Sequence, residues 1–155
     1  VRRNQFSKGF KRNVRAAATL PADTEALLER SCTEALAMAA KAGQVISGFA
    51  KVEGLLEQGR AAALIHASDG AADGIRKLDA IAGQRSRNIG DSPDLAIVTV
   101  LTSAELDLAL GRSNVIHAAL LAGPASKTFL SRCQILVRYR MADDDKTGIA
   151  ARNSD

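Results

Sequence analysis

The chain has 155 residues, with 21 Lys and Arg against 17 Asp and Glu and a net charge of +4. Hydrophobic residues make up 46%, charged residues 25%, and the mean hydropathy is −0.03, values of a soluble globular domain that exclude a disordered chain. No window approaches the roughly 18 apolar residues of a membrane span, and the two distant cysteines, Cys32 and Cys133, exclude a disulfide scaffold and a four-cysteine zinc site.

The first fifteen residues carry Arg2, Arg3, Lys8, Lys11, Arg12 and Arg15 and no acid. Residues 143–155 carry Asp143, Asp144, Asp145 and Asp155 against Lys146 and Arg152, which leaves thirteen charges of each sign in 16–142. The basicity therefore sits in an N-terminal arm, 1–20, which suits a polyanionic partner as well as a solvated tail. The start, Val1-Arg2-Arg3-Asn4-Gln5, lacks the apolar core of a secretion signal, and the thiols read as cytoplasmic.

Pro21 separates the arm from a first helix, capped by Asp23 or Thr24 with Glu25 in its first turn. Leu28, Cys32, Ala35 and Ala39 recur at helical spacing, and Gly43 stops the run. Val45-Ile46 is a brief strand and Ser47-Gly48 a turn. Phe49, Val52, Leu55 and Leu56 stripe a second helix that Gly59 ends. Ala61 to Ala67 is an apolar run between turn signals, the pattern of a strand buried on both faces. After the Ser68-Asp69-Gly70 loop, Ile75, Leu78 and Ile81 mark a third helix ending at Gly83, and the polar stretch 83–94 reads as an exposed loop. Leu95 to Leu101 is the clearest strand. Thr102-Ser103-Ala104-Glu105 matches a capping box, opening a helix through Leu106, Ala109 and Leu110 that Gly111 stops. Val115 to Leu121 is the fourth strand. Gly123-Pro124 opens a last helix with Phe129, Cys133, Leu136 and Val137 on its apolar face. The polar residues 142–155 read as a disordered tail. Strands alternating with helices predict α/β layering in one domain, 21–141, with helices on both faces of one small sheet.

Signatures of enzyme chemistry are missing. The chain has no GxxxxGK loop, no GxGxxG, no CxxC and no His-containing metal box, so no metal or cofactor is expected. His66-Ala67-Ser68-Asp69 gathers triad-type residues, but spacing alone does not orient them, and His66 and His117 read as structural. Cys32 and Cys133 read as small core residues. Aromatics at 3% rule out base stacking on an aromatic platform; Phe49 reads as a core anchor, with an exposed stacker as the alternative. The remaining candidate is an anion site at the start of the second helix, where Ser47-Gly48 precedes free amides and Lys41 and Lys51 flank them in sequence. Arg76 and Lys77 follow the Asp69-Gly70 loop, which opens at the same sheet edge if the strands run the same way.

The stretch Leu36-Ala37-Met38-Ala39-Ala40-Lys41-Ala42-Gly43-Gln44-Val45-Ile46-Ser47-Gly48 resembles a hallmark of bacterial relatives of ribosomal proteins L-seven-Ae and L-thirty-e. In that family a helix ending in an "ARKAGK"-type segment leads into "SG" and the second helix. Gln58-Gly59-Arg60-Ala61, Ala67-Ser68-Asp69-Gly70-Ala71 and Leu101-Thr102-Ser103-Ala104-Glu105-Leu106, followed by Ala109-Leu110-Gly111-Arg112, are similar to its later segments. The resemblance covers residues 24–138. The arm segment Phe6-Ser7-Lys8-Gly9-Phe10-Lys11-Arg12-Asn13-Val14 resembles the end of a YlxR-type nucleic-acid-binding module, often fused ahead of this domain in alphaproteobacteria, which implies that the chain is the C-terminal part of a longer protein.

The resemblance implies a three-layer α-β-α sandwich around a small four-stranded mixed sheet, binding RNA without catalysis. Its RNA contacts come from the start of the second helix, the loop after the second strand and the loop before the last helix. Carried over, the glycine at the start of the family's second helix falls on Gly48 and the loop before the last helix on Leu121-Ala122-Gly123-Pro124. Together with the anion-site reading and the arm, the candidate RNA-binding residues are Lys41, Gln44, Ser47, Gly48, Lys51, Asp69, Gly70, Arg76, Lys11 and Arg12. The family's base-reading Asn and Glu are Ala50 and Lys51 here, and a following Lys is Gly54. The expectation is a cytoplasmic, non-enzymatic binder of structured RNA, ribosomal RNA included. The alternative is a protein-interaction scaffold on a ribosomal or RNA-processing partner. A recognition module cut from an RNA-modifying enzyme is a third reading.

Overall fold

The computed structural model describes residues 13–89 and 95–153, with side chains over 23–84 and 95–144. In chain order the elements are α1 (Asn13–Lys41), β1 (Val45–Ser47), α2 (Phe49–Glu57), β2 (Ala63–His66), α3 (Ala72–Ile89), β3 (Ala96–Val98), α4 (Ser103–Leu110), β4 (His117–Leu120) and α5 (Pro124–Asn153). The sheet order is β1-β4-β2-β3, with β4 antiparallel to both neighbours and β2 parallel to β3.

Side chains alternate across the sheet and divide the apolar residues into two cores. Ile65, Ala118 and Leu120 pack with Cys32, Leu36, Leu101, Leu106, Phe129, Cys133 and Leu136 beneath α1, α4 and α5. Leu64 and Ala119 pack with Val52, Leu55, Leu56 and Leu78 beneath α2 and α3. The result is the three-layer α-β-α sandwich around a mixed sheet. Every residue of β2 and β4 is buried, which explains their unbroken apolar runs. Both cysteines lie in the first core, as their positions on apolar helix faces suggest.

Three helix boundaries differ from the sequence reading. α1 begins at Asn13 and runs through Pro21. A proline inside a helix forfeits one hydrogen bond, and the flanking alanines 16–18 and 22 are the strongest helix formers. α3 passes Gly83 and continues to Ile89, because one interior glycine costs only about 1 kcal/mol. α5 continues through 142–153, where composition suggested a tail; polarity forbids burial, but each residue added to an existing helix still adds a bond. Residues 1–12, and with them Lys11, Arg12 and the YlxR-like segment, lie outside the described residues.

Strand direction decides which loops meet. β1 and β2 are both antiparallel to β4, and Ser47 and Ile65 both register with Ala118. Their C-terminal ends therefore share one sheet edge, together with the end of β3 and the start of β4. That edge gathers Gly48, the loop 67–71, the loop 99–102 and the loop 111–116. The loop before α5 lies at the opposite edge, where the Leu121 N–H donates to the Gln44 carbonyl at 2.8 Å. Leu121–Pro124 is thus not part of the rim around Gly48, because antiparallel β4 carries the chain away from it; the loop before β4 takes that place.

Candidate nucleic-acid interface

Gly48 caps α2 at φ 103° and ψ 140°, a conformation open to glycine and strained for other residues. Its N–H donates to the His117 carbonyl at 3.1 Å, which fastens the start of α2 to β4. Its own carbonyl accepts the first intrahelical bond, from the Val52 N–H at 2.9 Å. The amides of Phe49, Ala50 and Lys51 precede that bond, and no side chain caps the helix at Gly48. They are the positive end of the α2 dipole.

Cations cluster nearby. Lys51 is exposed and borders two clefts. One, of about 200 Å³, runs from Ser47 and Lys51 to Leu110 and Arg112. The other, of about 300 Å³, runs from Lys51 along α2 past Gly54 to Gln58, Arg60 and Leu121 at the far edge, so Arg60 stands away from the start of the helix. Arg112 is held in place by the loop that carries it. Gly111 adopts the left-handed conformation at the end of α4, and the Asp107 carboxylate accepts from the Asn114 N–H at 3.1 Å and the Val115 N–H at 2.7 Å. Sequence reasoning did not select Arg60 or Arg112. Arg112 falls directly after the predicted stop at Gly111, and only the fold brings it beside Ser47 and Lys51.

The other selected residues fall into different roles. Asp69 accepts from the Ser103 N–H at 2.8 Å and from the Ser103 hydroxyl at 2.8 Å. Those two bonds, the backbone one first, hold its carboxyl below the usual range. It clamps the β2–α3 loop onto α4. Gly70 allows that loop to approach, since a Cβ there would come within 2.8 Å of Ile116 Cγ2. Arg76 is exposed and stands 3.8 Å from Asp73. Lys41 is exposed in the last turn of α1. Gln44 lies at the far edge, and its Oε1 accepts from the Ser126 N–H at 3.0 Å and the Ser126 hydroxyl at 3.2 Å, capping the start of α5. Gly123 leaves room for it, because a Cβ there would overlap the Gln44 amide.

Beneath the edge lies a buried polar chain. His66 and His117 pair directly across β2 and β4, with Nδ1 to Nδ1 at 2.9 Å. His66 Nε2 reaches Asp79 Oδ1 at 2.8 Å. A carboxylate only accepts, so His66 donates from Nε2, and its Nδ1 accepts from the Nδ1–H of His117. Burial, then the neighbouring His66, pushes the His117 pKa down against the pull of Asp79. The His117 ring also meets Phe49 edge-on, with centroids 5.7 Å apart. Each nitrogen of His66 is thus committed to a structural partner. Among the described residues no group of three His, Cys, Asp or Glu is placed to hold a metal ion, and no helix is long and apolar enough to cross a membrane.

No protein-family model matches the sequence, and neither does any curated protein. Solved structures are similar, and two show the extent of the likeness. One is a protein with unknown function from Bacillus halodurans C, 18% identical with a TM-score of 0.57, the match covering 66% of this chain and 96% of that one. The other is the 15.5kD RNA binding protein of Giardia lamblia, 16% identical with a TM-score of 0.52, covering 72% and 89%. The likeness is one of fold. It extends over most of each neighbour, so the sandwich described above is their shared architecture.

Proposed function

We propose that this is a non-catalytic, cytoplasmic RNA-binding protein of the L-seven-Ae and L-thirty-e kind, holding RNA phosphates at the edge where α2 begins. The observation that carries this reading is the uncapped start of α2, with Lys51 beside it and Arg112 in the adjoining cleft. Free helix-start amides and nearby cations are complementary to a phosphate. The fold likeness to a Giardia protein named for RNA binding supports it, as do the sequence segments that resemble the family. The basic arm, with Lys11 and Arg12, would add further phosphate contacts.

Phosphate contacts position a nucleic acid without reading it. With Ala50, Lys51 and Gly54 at the family's base-reading positions, discrimination between sequences should be weak and shape should dominate. The titratable groups at the edge support a binding role over a catalytic one, since Asp69 is bound by Ser103 and His66 by Asp79. The test is charge reversal: Lys51→Glu and Arg112→Glu should each weaken retention of a structured RNA on filters, while circular dichroism stays unchanged. Retention indifferent to both would favour the alternative, a protein-docking scaffold.

A further inference from the structure

We propose that the free side of β1 is a docking edge for an extended segment of another protein, one in which apolar residues alternate with Asp or Glu. β1 stands at the end of the sheet order and pairs with β4 on one side only. The register fixes which of its backbone groups are left over. The Gln44 carbonyl accepts from the Leu121 N–H at 2.8 Å, and the Gly48 N–H donates to the His117 carbonyl at 3.1 Å. Bonded residues alternate along an antiparallel pair, so Ile46 bonds to β4 as well. The N–H and C=O groups of Val45 and Ser47 therefore point away from the sheet. Among the described residues no turn, loop or cap bond ends on them.

That edge has a cleft on each flank, one against each helix layer. Val45 packs with the first core, and the cleft of about 200 Å³ on its side is lined by Ala40 of α1, Leu110 at the end of α4, and Arg112. Ile46 packs with the second core, and the cleft of about 300 Å³ on its side runs along α2 over Ala50, Leu55 and Leu121. Gly54 keeps this second cleft open, with no atom within 4 Å of where a Cβ would stand. Successive side chains of a strand point to opposite faces of its sheet. The side chains of an added strand would thus enter the two clefts by turns. Sheet edges recognise peptides in this way, with backbone bonds for affinity and alternate pockets for selectivity.

The linings choose the side chains. Ile46, Ala50, Leu55 and Leu121 give the α2-side cleft an apolar floor. The opposite cleft ends at Lys51 and Arg112, and no acidic residue lines either one. Carboxylates suit that cationic end, since a guanidinium holds them in charge-assisted pairs. A phosphate backbone offers acceptors alone, whereas the outward groups of Val45 and Ser47 alternate donors with acceptors at strand spacing. Another peptide complements that row, and a nucleic acid does not. The proposal does not rest on the RNA reading, because it uses the side of β1 and not the amides of α2. Lys51 and Arg112 border both places, so an acidic strand and RNA should compete.

The experiment uses the whole chain and a short peptide of alternating valine and glutamate. Amide exchange followed by NMR should show Val45 and Ser47 slowed by the peptide and Ile46, already bonded to β4, unchanged. Only every second N–H of an added strand faces β1. N-methylation of one alternate set should therefore weaken binding by about tenfold, and methylation of the other set should spare it. Gly54→Leu, which fills the α2-side cleft with a better helix former, should weaken binding without lowering the melting temperature. No binding at millimolar peptide, slowing that maps to other amides, or equal affinity of the two methylated sets overturns the docking edge. So does Gly54→Leu binding as tightly as wild type. Slowing of Val45 and Ser47 by a structured RNA alone would give the edge to the nucleic acid. The same slowing in a dimer seen by sedimentation, without peptide, would give it to a second copy of the chain. Either result overturns the proposal, and all of them are separate from the salt dependence that tests the RNA reading.

Discussion

Of the helices that start at the same sheet edge, α2 and α4 start in opposite ways. At α4, Thr102 Oγ1 accepts from the Glu105 N–H at 3.2 Å, and Glu105 Oε1 accepts from the Thr102 N–H at 2.9 Å. Asp69 then takes the Ser103 amide and hydroxyl. At α2 the cap is a glycine without a side chain, and cations stand where carboxylates stand at α4. A Ser or Thr cap is worth about 1 kcal/mol over alanine but only roughly a few tenths over glycine, so α2 leaves its amides without a side-chain acceptor at little cost in stability. The contrast teaches that helix starts in one fold divide between holding the structure and staying available to an outside anion.

The largest expected effect breaks the contrast from the α2 side. Replacing Lys51 and Arg112 together by Glu should weaken RNA binding by about a hundredfold, measured by filter retention, with the melting temperature nearly unchanged. Gly48→Ala comes next. A side chain at φ 103° is strained by about 1–2 kcal/mol, so urea unfolding should show that loss of stability. Thr102→Ala is the mirror experiment, predicted to cost about 1 kcal/mol in the same assay and to leave RNA affinity within twofold.

Acidification sharpens the comparison with a smaller effect. His117 has its pKa lowered in the folded protein, so the unfolded chain binds a proton first. Its contribution to stability is present above the ordinary value of 6.5 and is lost as pH falls through the lowered folded value. Asp69 likewise has its pKa lowered, but from 3.8, so the α4 clamp survives until the solution is far more acid. Amide exchange should therefore report loosening around Gly48 and Phe49 as pH falls below 6.5, while the amide of Ser103 stays protected. Loosening of both together would show that the two helix starts are not separately held.

What was legible in the sequence was local. The capping box occupies four consecutive residues, Thr102 to Glu105, and the structure contains it. The apolar run around β2 announced a strand buried on both faces, and the run around β4 announced an apolar strand. Helix ends were less legible, because Pro21, Gly83 and the polar residues after Ala142 are unfavourable signals that neighbouring helix formers outweigh. Contacts spanning many residues were not legible at all. Gln44 meets Ser126 across 82 positions and His66 meets His117 across 51. Both depend on strand order and register, which an apolar run does not encode. The same limit explains the candidate site: Lys51 and Gly48 are neighbours in sequence, whereas Arg112 joins them only once antiparallel β4 brings its loop to their edge.

The most direct measurement is RNA affinity against salt concentration for the wild type and for Lys51→Glu. Phosphate binding at the start of α2 predicts a linear fall of log affinity with log salt, and a variant slope shallower by roughly 0.7–0.9, the share of one phosphate contact. A wild-type affinity that ignores salt, or two parallel lines, would contradict it.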